Sequence, residues 1–253
     1  MDDKTLQLRR GFDSSDPDFG PGIPFWRHEY FSDVLAQEPL LEKIVPALPK
    51  ELNQKIFAGQ PEIEKLWSSY KDHGYGHLFY QLIRCLKPAQ CVEIGVLQGF
   101  SLLTVAAALR DNGRGKISGF DLFEQYPYHH ESFENVDRRI KNFNLQSIAT
   151  IARRDAFAVH EQFVEVDYLH VDISNNGDTY RKIFEQWAPK VKKVMLLEGG
   201  SVKRDVVEWM IKYKKPSITK ALDEFRLKYP DWNIVVFDPY PSLTLAVRKN
   251  SQK

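Results

Sequence analysis

From residue 73 onward, two hydrophobic rhythms take turns along the chain. Short apolar runs at 90–94, 116–120, 148–152, 168–171 and 193–197 read as strands. Between them, apolar positions recur every three or four residues over 76–86, 101–110, 133–143, 156–163 and 179–187, which predicts helices. The helix at 76–86 is stopped by Pro88, and the one at 101–110 runs out at Asn112-Gly113. Strands alternating with helices at this spacing predict a parallel sheet with helices on both faces. The end of the chain departs from this rhythm. After helices at 203–213 and 218–229, strands at 233–237 and 243–248 are separated only by Asp238-Pro239-Tyr240-Pro241-Ser242. A connection that short permits an antiparallel hairpin and no parallel crossover. The predicted fold class is therefore α/β: a doubly wound, mostly parallel, seven-stranded sheet that closes with an antiparallel hairpin.

Before residue 73 no strand alternates with a helix. Residues 1–24 are rich in Asp, Gly, Ser and Pro and read as an irregular tail. Amphipathic patterns at 30–38, 40–48 and 63–70, punctuated by Pro39, Pro46, Pro49 and Pro61, predict short helices. The expected organisation is a helical appendage over 1–72 and a sheet domain over 73–253. The appendage suits a cap over a substrate and a contact in a homo-oligomer equally well.

Composition narrows the picture by exclusion. The chain has 253 residues, 43% of them hydrophobic, enough for one core of ordinary size with an appendage. Its net charge is +1 with acids and bases interspersed, so neither a nucleic acid nor a membrane surface is an expected partner. Cys85 and Cys91 lack CxxC spacing and read as free thiols of a reducing compartment. The charged opening residues do not resemble a signal peptide, and no segment reaches the length of a membrane span. A cytoplasmic location is the expectation.

Ligands of doubly wound sheets sit beyond the carboxyl ends of the strands. The first strand runs into Glu93-Ile94-Gly95-Val96-Leu97-Gln98-Gly99-Phe100-Ser101, an acid and a glycine-bearing turn that opens a helix. The second strand is followed by Asp121, the third by Asp155-Ala156, the fourth by Asp172 and the fifth by Glu198-Gly199-Gly200-Ser201. Any one of these acids alone is a loop residue or a helix cap, and Asp155 suits a cap for a helix starting at Ala156. Five at equivalent places argue for a site. Glycines in the first turn allow close approach of the backbone to a ligand. An ionised Glu93 only accepts hydrogen bonds, so it suits a cationic or hydroxyl-bearing ligand and repels a pyrophosphate. That points to S-adenosylmethionine.

Over roughly residues 75–248 these motifs resemble the class I S-adenosylmethionine-dependent methyltransferases, whose Rossmann-like sheet also ends in an antiparallel hairpin. The resemblance implies that Glu93, Gly95 and Gly99, with Ser101 closing the motif, flank the methionine moiety. It implies that Asp121 grips the ribose hydroxyls, that Asp155 with Ala156 reads the adenine, and that Asp172 faces the methyl group and the acceptor. Residues 172–178 and 198–201 are most similar to small-molecule O-methyltransferases of bacterial polysaccharide or natural-product pathways. That likeness implies a small-molecule acceptor, a hydroxyl of a sugar or natural-product intermediate.

Metal-dependent relatives carry an Asp after the fourth strand and an Asp-Asp or Asp-Asn pair after the fifth. This chain offers Asp172, then Glu198 and two glycines, so one oxygen ligand is missing. A divalent ion such as Mg²⁺ held by Asp172 and Glu198, completed by Asn175 or Asn176 and water, is narrowly disfavoured. The candidates for removing the acceptor's proton are Asp172, Glu198 and His77, the last in His73-Gly74-Tyr75-Gly76-His77, where related enzymes fold a loop over the cofactor. His129-His130-Glu131 reads as a loop and not as a metal cluster, and His170 as a satisfied core residue. Three rival functions remain: a nicotinamide-dependent oxidoreductase, which calls for the G-x-G-x-x-G that this chain lacks, a non-catalytic binding protein on the same fold, and an aminopropyl transferase.

Overall fold

Residues 37–44, 66–127, 131–174, 176–201, 208–238 and 241–249 are described by the computed structural model of the chain. Five parallel strands form the body of the sheet: β1 (Gln90–Ile94), β2 (Lys116–Asp121), β3 (Ala149–Arg153), β4 (Val166–Val171) and β5 (Val191–Glu198). β6 (Trp232–Phe237) and β7 (Leu243–Arg248) follow as an antiparallel pair. The sheet order is β3-β2-β1-β4-β5-β7-β6, so β7 inserts between β5 and β6 and runs antiparallel to both. This is the doubly wound sheet with a closing hairpin expected from the apolar rhythm.

Two helical layers cover it. On one face lie α1 (Pro39–Ile44), α2 (Ser69–Asp72), α3 (Tyr75–Leu86), α4 (Phe100–Asn112) and α5 (Phe133–Asn142). Their core joins Leu41, Tyr70, Phe79, Leu103 and Val136 to Cys91, Tyr168, Val194 and Leu196 of the strands. On the other face α6 (Gly177–Trp187) and α8 (Ile218–Lys228) pack Ile183, Trp187 and Phe225 against Val92, Leu169, Met195 and Leu197. The short α7 (Glu208–Lys212) precedes α8. Strand residues of even and odd number thus feed opposite layers, as the two-residue pleat requires.

Local chemistry sets the helix ends. Residues 100–109 of α4 are all buried, the mark of a central helix covered on every side. It ends at Gly113, whose φ of 66° lets its N–H return to the Leu109 and Arg110 carbonyls. α6 starts from Asn176, whose side chain accepts from the Asp178 and Thr179 N–H groups. α1 opens with Pro39, and Glu38 caps it by accepting from Leu40 N at 3.0 Å. The other Glu38 oxygen accepts from Asn233 Nδ2 at 2.8 Å, tying the segment before the sheet domain to β6. Leu40, Leu41, Leu66 and Tyr70 share one core with α3 and α4, so the described part of 1–72 packs into the sheet domain and does not stand apart from it.

The predicted helix at 156–163 does not form. A turn and a single 3-10 turn, Val159–Gln162, stand there instead. The reason is reach. In the order β3-β2-β1-β4 this connection must cross three strand intervals, about 14 Å, while also returning the length of a strand. An eight-residue helix rises only about 12 Å, and extended chain covers roughly twice as much per residue. Carbonyls of this connection accept instead from side chains in and just after α6: Gln186 Nε2 donates to Phe157 O at 3.0 Å, and Lys190 Nζ to His160 O and Phe163 O at 2.9 and 2.7 Å. Of the helices predicted elsewhere, 30–38 lies almost wholly outside the described residues, and 40–48, 63–70 and 203–213 are described only over α1, the start of α2 and α7.

Candidate active site

The chain leaves β1 towards β2 and β3 on one side and later fills β4 and β5 on the other, so the crevice of this sheet opens between the carboxyl ends of β1 and β4. The loop after β1 lies there. Gly95 donates to Phe120 O at 2.9 Å and has φ +87°. A Cβ on Gly95 would stand 1.9 Å from the Asp172 carbonyl oxygen. The close approach that demands glycine is therefore to the backbone after β4, whereas the sequence alone pointed to a ligand. Gly99, also at φ +87°, is the N-cap of α4.

Asp121 ends β2 and is half-buried beside this loop. Its Oδ2 accepts from Val96 N at 2.7 Å and Leu97 N at 3.2 Å, and its Oδ1 accepts from Phe123 N at 2.9 Å. A carboxylate has about four acceptor directions, so three amides leave roughly one for the ribose hydroxyl expected at this acid. Asp121 thus couples the β1 and β2 loops before any ligand arrives. Asp155, after β3, is exposed, and its Oδ1 accepts from Phe157 N at 2.9 Å, shaping the turn that carries the half-buried Ala156.

Glu93 lies elsewhere than its motif suggested. It is 0% exposed, on the face of β1 covered by α3 and α4. Its Oε1 accepts from Ser101 Oγ at 2.8 Å, and its Oε2 is 3.3 Å from His170 Nδ1 on the register-paired position of β4. Glu93 and Ser101 therefore brace the glycine loop from below. The His170 Nε2, equally buried, has no hydrogen-bond partner among the described residues.

Asp172 and Glu198 emerge on that same face. The pleat that places Tyr168 and His170 of β4, and Val194 and Leu196 of β5, under α3 and α4 carries on to Asp172 and Glu198. Asp172 N still donates to Ile94 O at 2.8 Å, which keeps it in register with the sheet. The backbone oxygen of Glu198 accepts from Tyr180 Oη at 2.8 Å. The two glycines after it have a structural reason. Gly199 and Gly200 have φ of 101° and 105°, and a Cβ on Gly200 would lie 2.2 Å from Thr244 Oγ1, where the chain passes beneath β7.

One residue at this site carries no signal in the sequence. Tyr70 of α2 is 3% exposed and lies over the end of β4, its ring 5.6 Å from the His170 ring, 5.0 Å from Phe79 and 6.1 Å from Tyr75. Burial pushes its phenol well above the usual value, and the charges of Asp172 and Glu198, the Asp172 carboxylate as the acceptor it faces, and the charge of Glu93 push the same way. Tyr70 closes the amphipathic pattern at 63–70, which reads as a short helix; only the fold brings it to the acids.

The remaining candidates separate. His77, in the first turn of α3, is 8% exposed, and burial lowers its pKa from 6.5 to about 4. It is neutral at neutral pH and enclosed. Asn176 spends its oxygen on the α6 cap, and its Nδ2 donates to Ser174 Oγ at 3.0 Å and Thr179 Oγ1 at 3.1 Å, so it has no oxygen to lend to an ion. Asn175, His129 and His130 lie outside the described residues. Glu131 is engaged by Arg139 at 2.5 Å and Asn135 Nδ2 at 2.6 Å. Among the described residues no three His, Cys, Asp or Glu side chains gather as a metal site, and no helix is long and apolar enough to cross a membrane.

Residues 92–197 match the sequence model of a family described as a methyltransferase domain. Similar folds occur in the O-methyltransferase TomG of Streptomyces achromogenes, involved in tomaymycin synthesis and solved with S-adenosylmethionine (16% identity, 80% of this chain and 91% of that one, TM-score 0.54). They occur also in an O-methyltransferase of Bacillus cereus in complex with S-adenosylhomocysteine (15%, 85% and 100%, TM-score 0.55). The methyltransferase PaMTH1 of Podospora anserina, bound to S-adenosylhomocysteine, is similar over 99% of this chain and 97% of its own at 17% identity, with a TM-score of 0.52. With the strand order and the closing hairpin, these matches show that the chain has the class I methyltransferase fold, with residues 92–197 similar to a methyltransferase domain.

Proposed function

We propose that this domain transfers a methyl group from S-adenosylmethionine to a hydroxyl of a small molecule, a sugar or natural-product intermediate. The observation that carries this reading is the row of acids Asp121, Asp155, Asp172 and Glu198 at the carboxyl edge of the sheet, around the left-handed glycine loop. The loop, the half-buried Asp121 and the exposed Asp155 fit a nucleoside with free ribose hydroxyls and an adenine amino group, all of which donate to acceptors. A pyrophosphate would meet acids where it needs bare N–H groups, which disfavours a nicotinamide cofactor.

When bound, S-adenosylmethionine supplies a methyl group on a sulfonium and leaves as S-adenosylhomocysteine. The chain's own work is to position and to accept a proton. Asp172, held to β1 by its backbone and facing the α3–α4 side, would take the proton of the acceptor hydroxyl and pass it to water. Glu198 adds negative charge at the next strand, favouring a cationic sulfonium beside it. His77, with a pKa of about 4, would be a weaker base than an ordinary imidazole. Orientation and deprotonation are what such a displacement chiefly needs. Isothermal calorimetry tests the reading directly. S-adenosylhomocysteine should bind and NADH should not; the reverse pattern would replace this function with the oxidoreductase one.

A further inference from the structure

The acids Asp172 and Glu198 share their face of the sheet with a buried hydroxyl contributed from outside residues 92–197. We propose that Tyr70 is a positioning residue of the transfer site, whose hydroxyl faces the Asp172 carboxylate and holds it towards the point of methyl transfer, so that the segment before the sheet domain completes the acceptor pocket.

Three observations meet here. First, the pleat puts Asp172 and Glu198 on the face that α2 and α3 cover, two residues beyond His170 and Leu196 respectively. Second, Tyr70 is clamped over the end of β4 by the His170, Phe79 and Tyr75 rings at 5.0 to 6.1 Å, leaving its hydroxyl little freedom to turn away. Third, that hydroxyl is inaccessible to solvent and makes no hydrogen bond of ordinary length among the described residues. A buried phenol without a close partner costs free energy unless something claims it, and the acceptor it faces is Asp172. Neighbouring contacts keep α2 in place: Trp67 N donates to Gln98 Oε1 of the glycine loop at 2.7 Å, and Lys71 Nζ to Leu66 O at 2.8 Å. The arrangement deepens the proposed function and rests on it, since Asp172 matters for transfer only if a methyl donor binds beside it.

The test needs no knowledge of the acceptor. In full-length protein labelled with ¹³C at tyrosine Cζ and Cε, each phenol gives its own resonance and its ring hydrogens report their neighbours. Tyr70→Phe identifies the one that belongs to Tyr70, and its through-space contacts to the His170 ring identify it independently should that variant fail to fold. Asp172→Asn is expected to shift this resonance without any ligand. S-adenosylmethionine and S-adenosylhomocysteine are expected to shift it by different amounts, because only the former places a sulfonium methyl opposite the acids. Tyr70→Phe should leave S-adenosylhomocysteine affinity unchanged, as the hydroxyl does not touch the nucleoside. A Tyr70 resonance indifferent to Asp172→Asn, and to both nucleotides while calorimetry shows them bound, would overturn the proposal. If neither nucleotide binds the unaltered protein, the methyl-donor reading fails, and the Asp172→Asn shift still decides whether Tyr70 and Asp172 face each other.

Discussion

At the scale of single residues, the site is held by contacts that look like ligand chemistry in the sequence and turn out to be internal. Gly95 shows this most sharply. Gly95→Ala combines an unfavourable φ of +87° with a Cβ 1.9 Å from a backbone oxygen, which no side-chain rotation can relieve. The β1 and β4 loops would have to separate, and we expect a loss of at least ~2–3 kcal/mol, read from urea unfolding. A loss within experimental error would mean that the loops separate freely. His77 makes a pH prediction. Its folded pKa of about 4 lies below the unfolded 6.5, so the unfolded chain binds more protons between these values. The stability contributed by burying the neutral ring is thus complete above pH 6.5 and drains away as pH falls towards 4. Urea midpoints at pH 7 and pH 5 should differ in the native protein and converge in His77→Leu; an unchanged pH dependence in that variant would assign the effect to another group.

At the scale of elements, β1 and β7 match the segments read as strands from end to end, because in β7 a strand buried on both faces shows as a run of apolar residues, and in β1 the buried Glu93 is flanked by apolar neighbours. The residues 156–163 have helical spacing and no helix, because the path from β3 to β4 demands reach that local periodicity does not encode. Caps act at this scale too. Asn176→Ala removes the acceptor for two N–H groups at the start of α6 and should cost about 1 kcal/mol in thermal or urea unfolding. Because Asn176 follows Asp172 by four residues, a larger effect on S-adenosylhomocysteine binding than on stability would show that the cap also orders the loop carrying the acid.

At the scale of the whole molecule, seven strands gather acids that lie from 121 to 198 in the chain along one edge, and α2 brings Tyr70 over them. Metal dependence is decided at this scale, since it needs several oxygens in one place. With Asn176 committed to its helix and Gly199-Gly200 needed for the passage beside β7, Asp172 and Glu198 are left with few protein donors among the described residues to complete an octahedral shell. Transfer should survive EDTA, measured as S-adenosylhomocysteine formed with a panel of hydroxylated acceptors. Activity lost in EDTA and restored by Mg²⁺ but not by Na⁺ would reverse that expectation and make Asp172 and Glu198 ligands.

The sequence by itself determined which segments form strands, their mostly parallel direction, the closing hairpin and the row of acids at the strand ends. These follow from periodicity and from connection length, both local properties. It did not determine which way those acids face. Glu93 belongs to the same motif as Gly95, yet it is buried against Ser101 and His170, because the side of β1 it occupies is covered by α3 and α4. Tyr70 comes near the acids only through the same packing, and Gly95 makes room for the carbonyl of Asp172, just past the end of β4. Burial and close approach are set by neighbours distant in sequence, so only the tertiary structure could decide them.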